Sequence, residues 1–108
     1  MPDEIFLNYL GQGYFHEDYD LEAESPSALV RRFAYEEKRQ YVQLMENELS
    51  EILDKELTES AAEILWLHDA QAMYDPARDG KTYLGWLREI LQIVEQALRT
   101  RPAEDDDD

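Results

Sequence analysis

Apolar residues recur at intervals of three and four along nearly the whole chain, and no stretch alternates apolar with polar residues over a strand's length. A helix buries one face at that period and a strand at a period of two, so the pattern predicts an all-α fold. With 108 residues the chain has the material for one compact domain and little to spare for a second. Cysteine is absent, which removes any disulfide framework, thiolate zinc site or cysteine nucleophile and leaves the fold to stand on packing.

The pattern divides into about five helices. The first runs from an N-cap at Asp3 through Ile5, Phe6, Tyr9 and Leu10, with Gly11 and Gly13 as its stop. Residues 14–24 mix aromatics and acids without a period and are expected to form an ordered loop. Ser25-Pro26 combines an N-cap with proline at the first helical position, and Leu29, Val30 and Phe33 give that second helix a buried face until residues 34–36. The third helix spans 37–57, with Tyr41, Val42, Met45, Leu49, Ile52 and Leu53 in one stripe and an acidic outer face.

The fourth helix begins at Thr58 or Ser60, where Ser60 and Glu63 have capping-box spacing. Its run Ile64-Leu65-Trp66-Leu67 is apolar nearly all round, so it is expected to be covered on several sides. Tyr74-Asp75-Pro76 ends it and Ala77-Arg78-Asp79-Gly80 has turn composition. Thr82 caps the fifth helix, which reaches about Arg99. Trp86 and Ile93 lie one heptad apart on its flank and either pack a neighbouring helix or form a contact patch. The reading is a helical domain over 1–101 and a disordered acidic tail over 102–108, whose like charges repel and have nothing to bury.

Charge narrows the function. Against 26 Asp and Glu stand 10 Lys and Arg, a formal charge of −16. Such a surface repels phosphates, which excludes direct nucleic-acid binding and favours a basic protein partner. The acidic Met1-Pro2-Asp3-Glu4 is unlike a signal peptide, and no apolar run approaches the roughly 20 residues that span a bilayer. A cytoplasmic protein without membrane association is expected.

Catalytic and metal chemistry find little support. His16, Asp18 and Asp20 offer nitrogen and oxygen donors to a divalent ion, but a calcium loop begun at Asp18 has Ala23 in place of the required glycine and Leu29 in place of the bidentate Glu. Begun at Asp75, it has Ala77 at the third position and Trp86 at the twelfth. Gly11-x-Gly13 lacks a third glycine and follows a helix, so it is no phosphate loop. The four serines lie at caps or on helix surfaces and suggest no nucleophilic triad. The expectation is no enzyme, no metal and no cofactor.

Tyr14-Phe15-His16-Glu17-Asp18-Tyr19-Asp20-Leu21, preceded by Phe6, Leu7, Tyr9 and Leu10, resembles the aromatic-Phe-His-x-Asp-aromatic-Asp-Leu motif of small immunity proteins of contact-dependent growth inhibition systems. Tyr74-Asp75-Pro76, Asp79-Gly80, Tyr83 and Trp86-Leu87 are similar to that family's closing segment. The two stretches fall in the expected order over residues 5–95. Tyr19 stands where the family more often has tryptophan, and Trp66-Leu67-His68-Asp69-Ala70 replaces a glycine-containing turn.

This resemblance implies an all-helical protein that binds and neutralises the C-terminal toxin domain of a matching delivered toxin. Such domains are commonly nucleases, whose basic active sites a carboxylate-rich inhibitor can cover. Motifs shared by immunity proteins with different toxins are expected to hold the fold, which assigns a structural role to Tyr14, Phe15, His16, Tyr74, Tyr83 and Trp86. Toxin contact is expected instead at Glu17, Asp18, Asp20, Glu22 and Glu24 in the first loop and at Glu46, Glu51 and Asp54 on the third helix. A monomer is expected. Two competing readings are a helical adaptor acting through the Trp86/Ile93 side and a metal-dependent hydrolase built on His16, Asp18 and Asp20.

Overall fold

The computed structural model describes residues 5–16 and 24–101. Among the described residues five α-helices are formed: α1 (Ile5–Tyr14), α2 (Pro26–Glu36), α3 (Arg39–Asp54), α4 (Glu59–Glu63) and α5 (Tyr83–Thr100). A π-helical segment, Ile64–Asp69, continues α4 without a break, and a 3-10 turn, Pro76–Asp79, precedes α5. No strand occurs among the described residues, and the fold is all-α as the periodicity predicts. The acidic tail, the Asp3 cap and residues 17–23 of the first loop lie outside the described residues.

Helix α5 is the centre of the packing, with α2, α3 and α4 laid against it. Its buried residues Trp86, Leu87, Ile90, Val94, Ala97 and Leu98 keep one face inward. They meet Leu29, Val30, Phe33 and Ala34 from α2 and Val42, Met45, Leu49 and Ile52 from α3 in one core cluster. Helix α1 closes the assembly against α2, α3 and the π-helical segment, inserting Leu7 and Leu10 with no exposed surface.

Helix boundaries follow side-chain caps. Ser25, Thr58 and Thr82 accept from the amides of Ala28, Ala61 and Gly85 at 3.1, 3.1 and 2.9 Å, satisfying first-turn N–H groups that have no partner within the helix. Thr58 takes the cap of α4, so the box suggested by Ser60 and Glu63 does not form. Other ends are closed by a different element. Glu48 of α3 accepts from Leu7 N in the first turn of α1 at 2.8 Å, and Glu59 of α4 accepts from Tyr83 N and Leu84 N of α5 at 2.6 and 3.1 Å. Arg39 donates to Leu98 O at the C-terminus of α5 (2.8 Å), while Arg101 donates to Ala34 O and Glu37 O at the end of α2 (2.7 and 2.9 Å). Each exchange ties one helix end to another helix, so these local bonds also hold tertiary geometry.

Two expectations fail at glycine and at the apolar run. Helix α1 does not stop at Gly11 or Gly13 but continues to Tyr14. Gly11 is a contact residue: a Cβ there would lie 2.5 Å from Ala70 O and 2.8 Å from Ala70 Cβ, so the missing side chain lets α1 lie directly on the chain after the π-helical segment. In the run Ile64–Leu67 only Trp66 is fully buried, and Ile64 is 51% exposed.

Candidate partner-binding surface

Phe15 from the first motif and Tyr74 and Trp86 from the second meet in the interior. Phe15, Trp66, Tyr74 and Trp86 form an aromatic cluster, with Phe15 at 5.1 Å from Trp66, 5.9 Å from Tyr74 and 5.8 Å from Trp86 between ring centroids. Trp86 stands 5.6 Å from Trp66 and 5.0 Å from Tyr74, and most of the pairs are edge-to-face, the arrangement that sets a ring's positive rim on its neighbour's negative face. Two bonds to backbone carbonyls lock the cluster: Met73 N donates to Phe15 O at 2.8 Å and the Trp66 side chain donates through Nε1 to Tyr74 O at 2.8 Å.

The segment from Tyr74 to Tyr83 has a specific hydrogen-bond logic. Asp75 caps the 3-10 turn by accepting from Ala77 N at 3.0 Å and also accepts from the Tyr83 hydroxyl at 2.7 Å, while the Tyr74 hydroxyl donates to Asp79 at 2.7 Å. Gly80 ends the turn at φ 76°, a left-handed conformation that glycine adopts without Cβ strain. The hydrogen bond to Asp75 is the main reason the Tyr83 hydroxyl is pushed up to about 12, burial adding to it.

Tyr14 joins the other side of the core. Its hydroxyl and that of Tyr9 both donate to Glu37 Oε2, at 2.8 and 3.0 Å, fastening α1 to the end of α2. Burial, followed by this bond, drives the Tyr14 pKa upward, and at Tyr9 the bond to Glu37 is the larger cause. His16 is half-buried just beyond α1. Trp86 has no exposed surface, so it packs neighbouring helices and is no contact patch; half-buried Ile93 lines a shallow groove with Arg31 and Tyr35.

A family model described as CdiI immunity protein matches residues 5–94. The chain belongs to the CdiI immunity protein family. Among solved structures, it is similar to a chain of the crystal structure of a CdiA-CT/CdiI complex from Y. kristensenii 33638, with a TM-score of 0.79 and 17% sequence identity over 86% of this chain and 99% of that one. At that identity the likeness is one of fold. No curated protein matches the chain by sequence.

For a CdiI family member, the burial of Phe15, Tyr74 and Trp86 moves attention to the outer acids. Glu17, Asp18, Asp20 and Glu22 lie outside the described residues. Glu24 is exposed beside the Tyr74-Asp75 turn, in a shallow pocket it shares with Arg78 and Asp79. Glu46 is half-buried and accepts from Gln43 one turn earlier, whereas Glu51 and Asp54 are exposed near the C-terminus of α3. The structure thus brings Glu51 and Asp54 to one helix end and sets Glu24 at another part of the fold. Among the described residues no group of three or more His, Asp or Glu side chains is arranged to hold a metal ion, and no helix is long and apolar enough to cross a membrane.

The acids are unevenly placed. Eight of the 26 acids and only one of the ten bases, Lys55, fall in residues 46–69, giving this stretch −7. Sequence reading assigned charge to α3 but missed how α4 and the π-helical segment extend it. It also missed the exposed Ile64 in its midst. The run of four apolar residues was itself the signal, because four consecutive helical positions sweep about 300° and cannot all face one core.

Proposed function

We propose that this immunity-family chain binds and neutralises the toxin domain delivered by its own growth-inhibition system, acting in the cytoplasm and without catalysis of its own. The observation that carries the reading is the match to the CdiI immunity family across residues 5–94, and the comparable fold within a CdiA-CT/CdiI complex supports it. The toxin is a basic nuclease in this reading. A nuclease must hold phosphate with cationic side chains, and a carboxylate-rich surface can occupy that region while being steered to it. Glu51 and Asp54 are proposed as contacts, together with Glu17, Asp18, Asp20, Glu22, Glu24 and Glu46.

The experiment is to mix the purified protein with the toxin domain encoded immediately upstream. A tight one-to-one complex that abolishes the toxin's nucleic-acid cleavage is the expected result. Absence of a complex overturns the reading, and a bound toxin with no nuclease activity overturns its nuclease part alone. The burial of Trp86 takes that side chain out of the patch on which an adaptor reading depended and leaves only Ile93.

A further inference from the structure

An apolar groove opens where α3 ends and α4 passes into the π-helical segment, walled by Ile52, Leu57, Ala61, Ile64 and Leu65. Lys55 and Asp69 are the charged side chains on it. Ile64 stands with half its surface in solvent, and leaving that half hydrated forgoes the free energy its burial would gain.

Three further features coincide there. The groove lies within the 46–69 stretch that carries −7, and the side-chain carboxylates of Glu51, Asp54, Glu56, Glu63 and Asp69 accept no hydrogen bond and form no ion pair with any described residue. Glu56, immediately before Leu57, holds a left-handed conformation at φ 55° with no glycine to relieve it. Residues 64–69 adopt a π-helix, a rare form that concentrates at functional sites. Backbone strain is likewise retained mainly where function requires it.

Resting on the proposed function, we infer that this groove is the anchoring point for the toxin domain: it receives an apolar side chain projecting from a lysine- and arginine-rich protein surface. Charge complementarity selects that occupant. A second copy of this chain would set the −7 stretch against itself across a two-fold axis, because such an interface uses the same patch on both subunits. A cationic partner would instead give the five unpaired carboxylates their counter-charges while its central apolar side chain excludes water from the groove. An apolar anchor inside a polar rim is where interfaces concentrate their binding energy.

The test measures affinity for the upstream toxin domain with wild type, Ile64→Glu, Asp69→Lys and Leu44→Ser. Leu44 is a comparably exposed apolar residue on α3 that does not line the groove. Ile64→Glu and Asp69→Lys are expected to weaken binding at least tenfold, with Leu44→Ser within about threefold of wild type, all melting as cooperative helical proteins. Hydrogen exchange on the wild-type complex needs no variant and is expected to show new protection within 52–69. Wild-type binding with Ile64→Glu and Asp69→Lys unchanged, or with no protection in 52–69, overturns the groove and leaves the proposed function standing. Failure of the wild type to bind overturns both, and a dimer of this chain that Ile64→Glu dissociates overturns the choice of occupant.

Discussion

Glu37 shows how much of this fold rests on single side chains. One carboxylate oxygen takes the hydroxyls of Tyr9 and Tyr14, while the backbone carbonyl of the same residue accepts from Arg101. The Tyr14 and Tyr83 hydroxyls are both stabilised in their neutral form, with pKa values raised above the ordinary 10.0. The folded state therefore holds these protons more tightly than the unfolded chain does. Their contribution is complete below pH 10 and is lost as pH climbs through the folded values, about 12 for Tyr83. Thermal melts should show stability falling from pH 10 to 12, and Tyr83→Phe should make that fall shallower; an unchanged slope would remove the Tyr83–Asp75 bond from the account. At Gly11 the sign is set by sterics. Alanine has the better helix propensity, but its Cβ would press on the Ala70 backbone at 2.5 Å. Overpacking of this kind costs about 1–3 kcal/mol, so Gly11→Ala should lower the urea midpoint, whereas a gain would return Gly11 to the role of a mere helix breaker.

Among the elements, those with local signals were legible and those shaped by neighbours were not. Ser25-Pro26 and Thr82 marked the starts of α2 and α5 because a cap is a bond between residues three apart. The acids at 51 and 54 were likewise placed correctly on the outer face of α3, since a helix face is a matter of period. The path of α1 across Ala70, the caps supplied by Glu48, Glu59, Arg39 and Arg101, and the π-helical register of 64–69 all depend on another segment, and nothing in the local sequence encodes them. The groove combines both kinds: Glu51 and Asp54 beside it were read from the period of α3, whereas Asp69 and the apolar walls from α4 and the π-helical segment were not. The end of α3 offers a direct test of stored strain. Glu56 sits in the left-handed region just past the helix, where glycine is the usual residue. Relief of a Cβ clash there is worth about 1 kcal/mol, so Glu56→Gly should raise the denaturation midpoint in urea. A lowered midpoint would mean that the glutamate's own contacts outweigh the strain.

Across the whole molecule, net charge is a poorer guide than its distribution. Of the formal −16, −7 falls within the 24 residues 46–69, where only one of the ten bases lies, and −9 is spread over the other 84. A cationic protein approaching such a molecule is both attracted and turned, because its encounter energy depends on which side it meets. Range then matters. The screening length shrinks from about 30 Å at 0.01 M salt to about 8 Å at 0.15 M, so association with the toxin domain should slow by about tenfold or more over that interval. The placement of charge predicts something that its total does not. Neutralising Glu51 and Asp54 together should flatten this salt dependence, while neutralising Glu36 and Glu95 changes the net charge equally and should leave most of it intact. Stopped-flow association rates for the two double variants decide the matter. Equal flattening by both would mean that the toxin responds to the overall charge, and that the acidic stretch orients nothing.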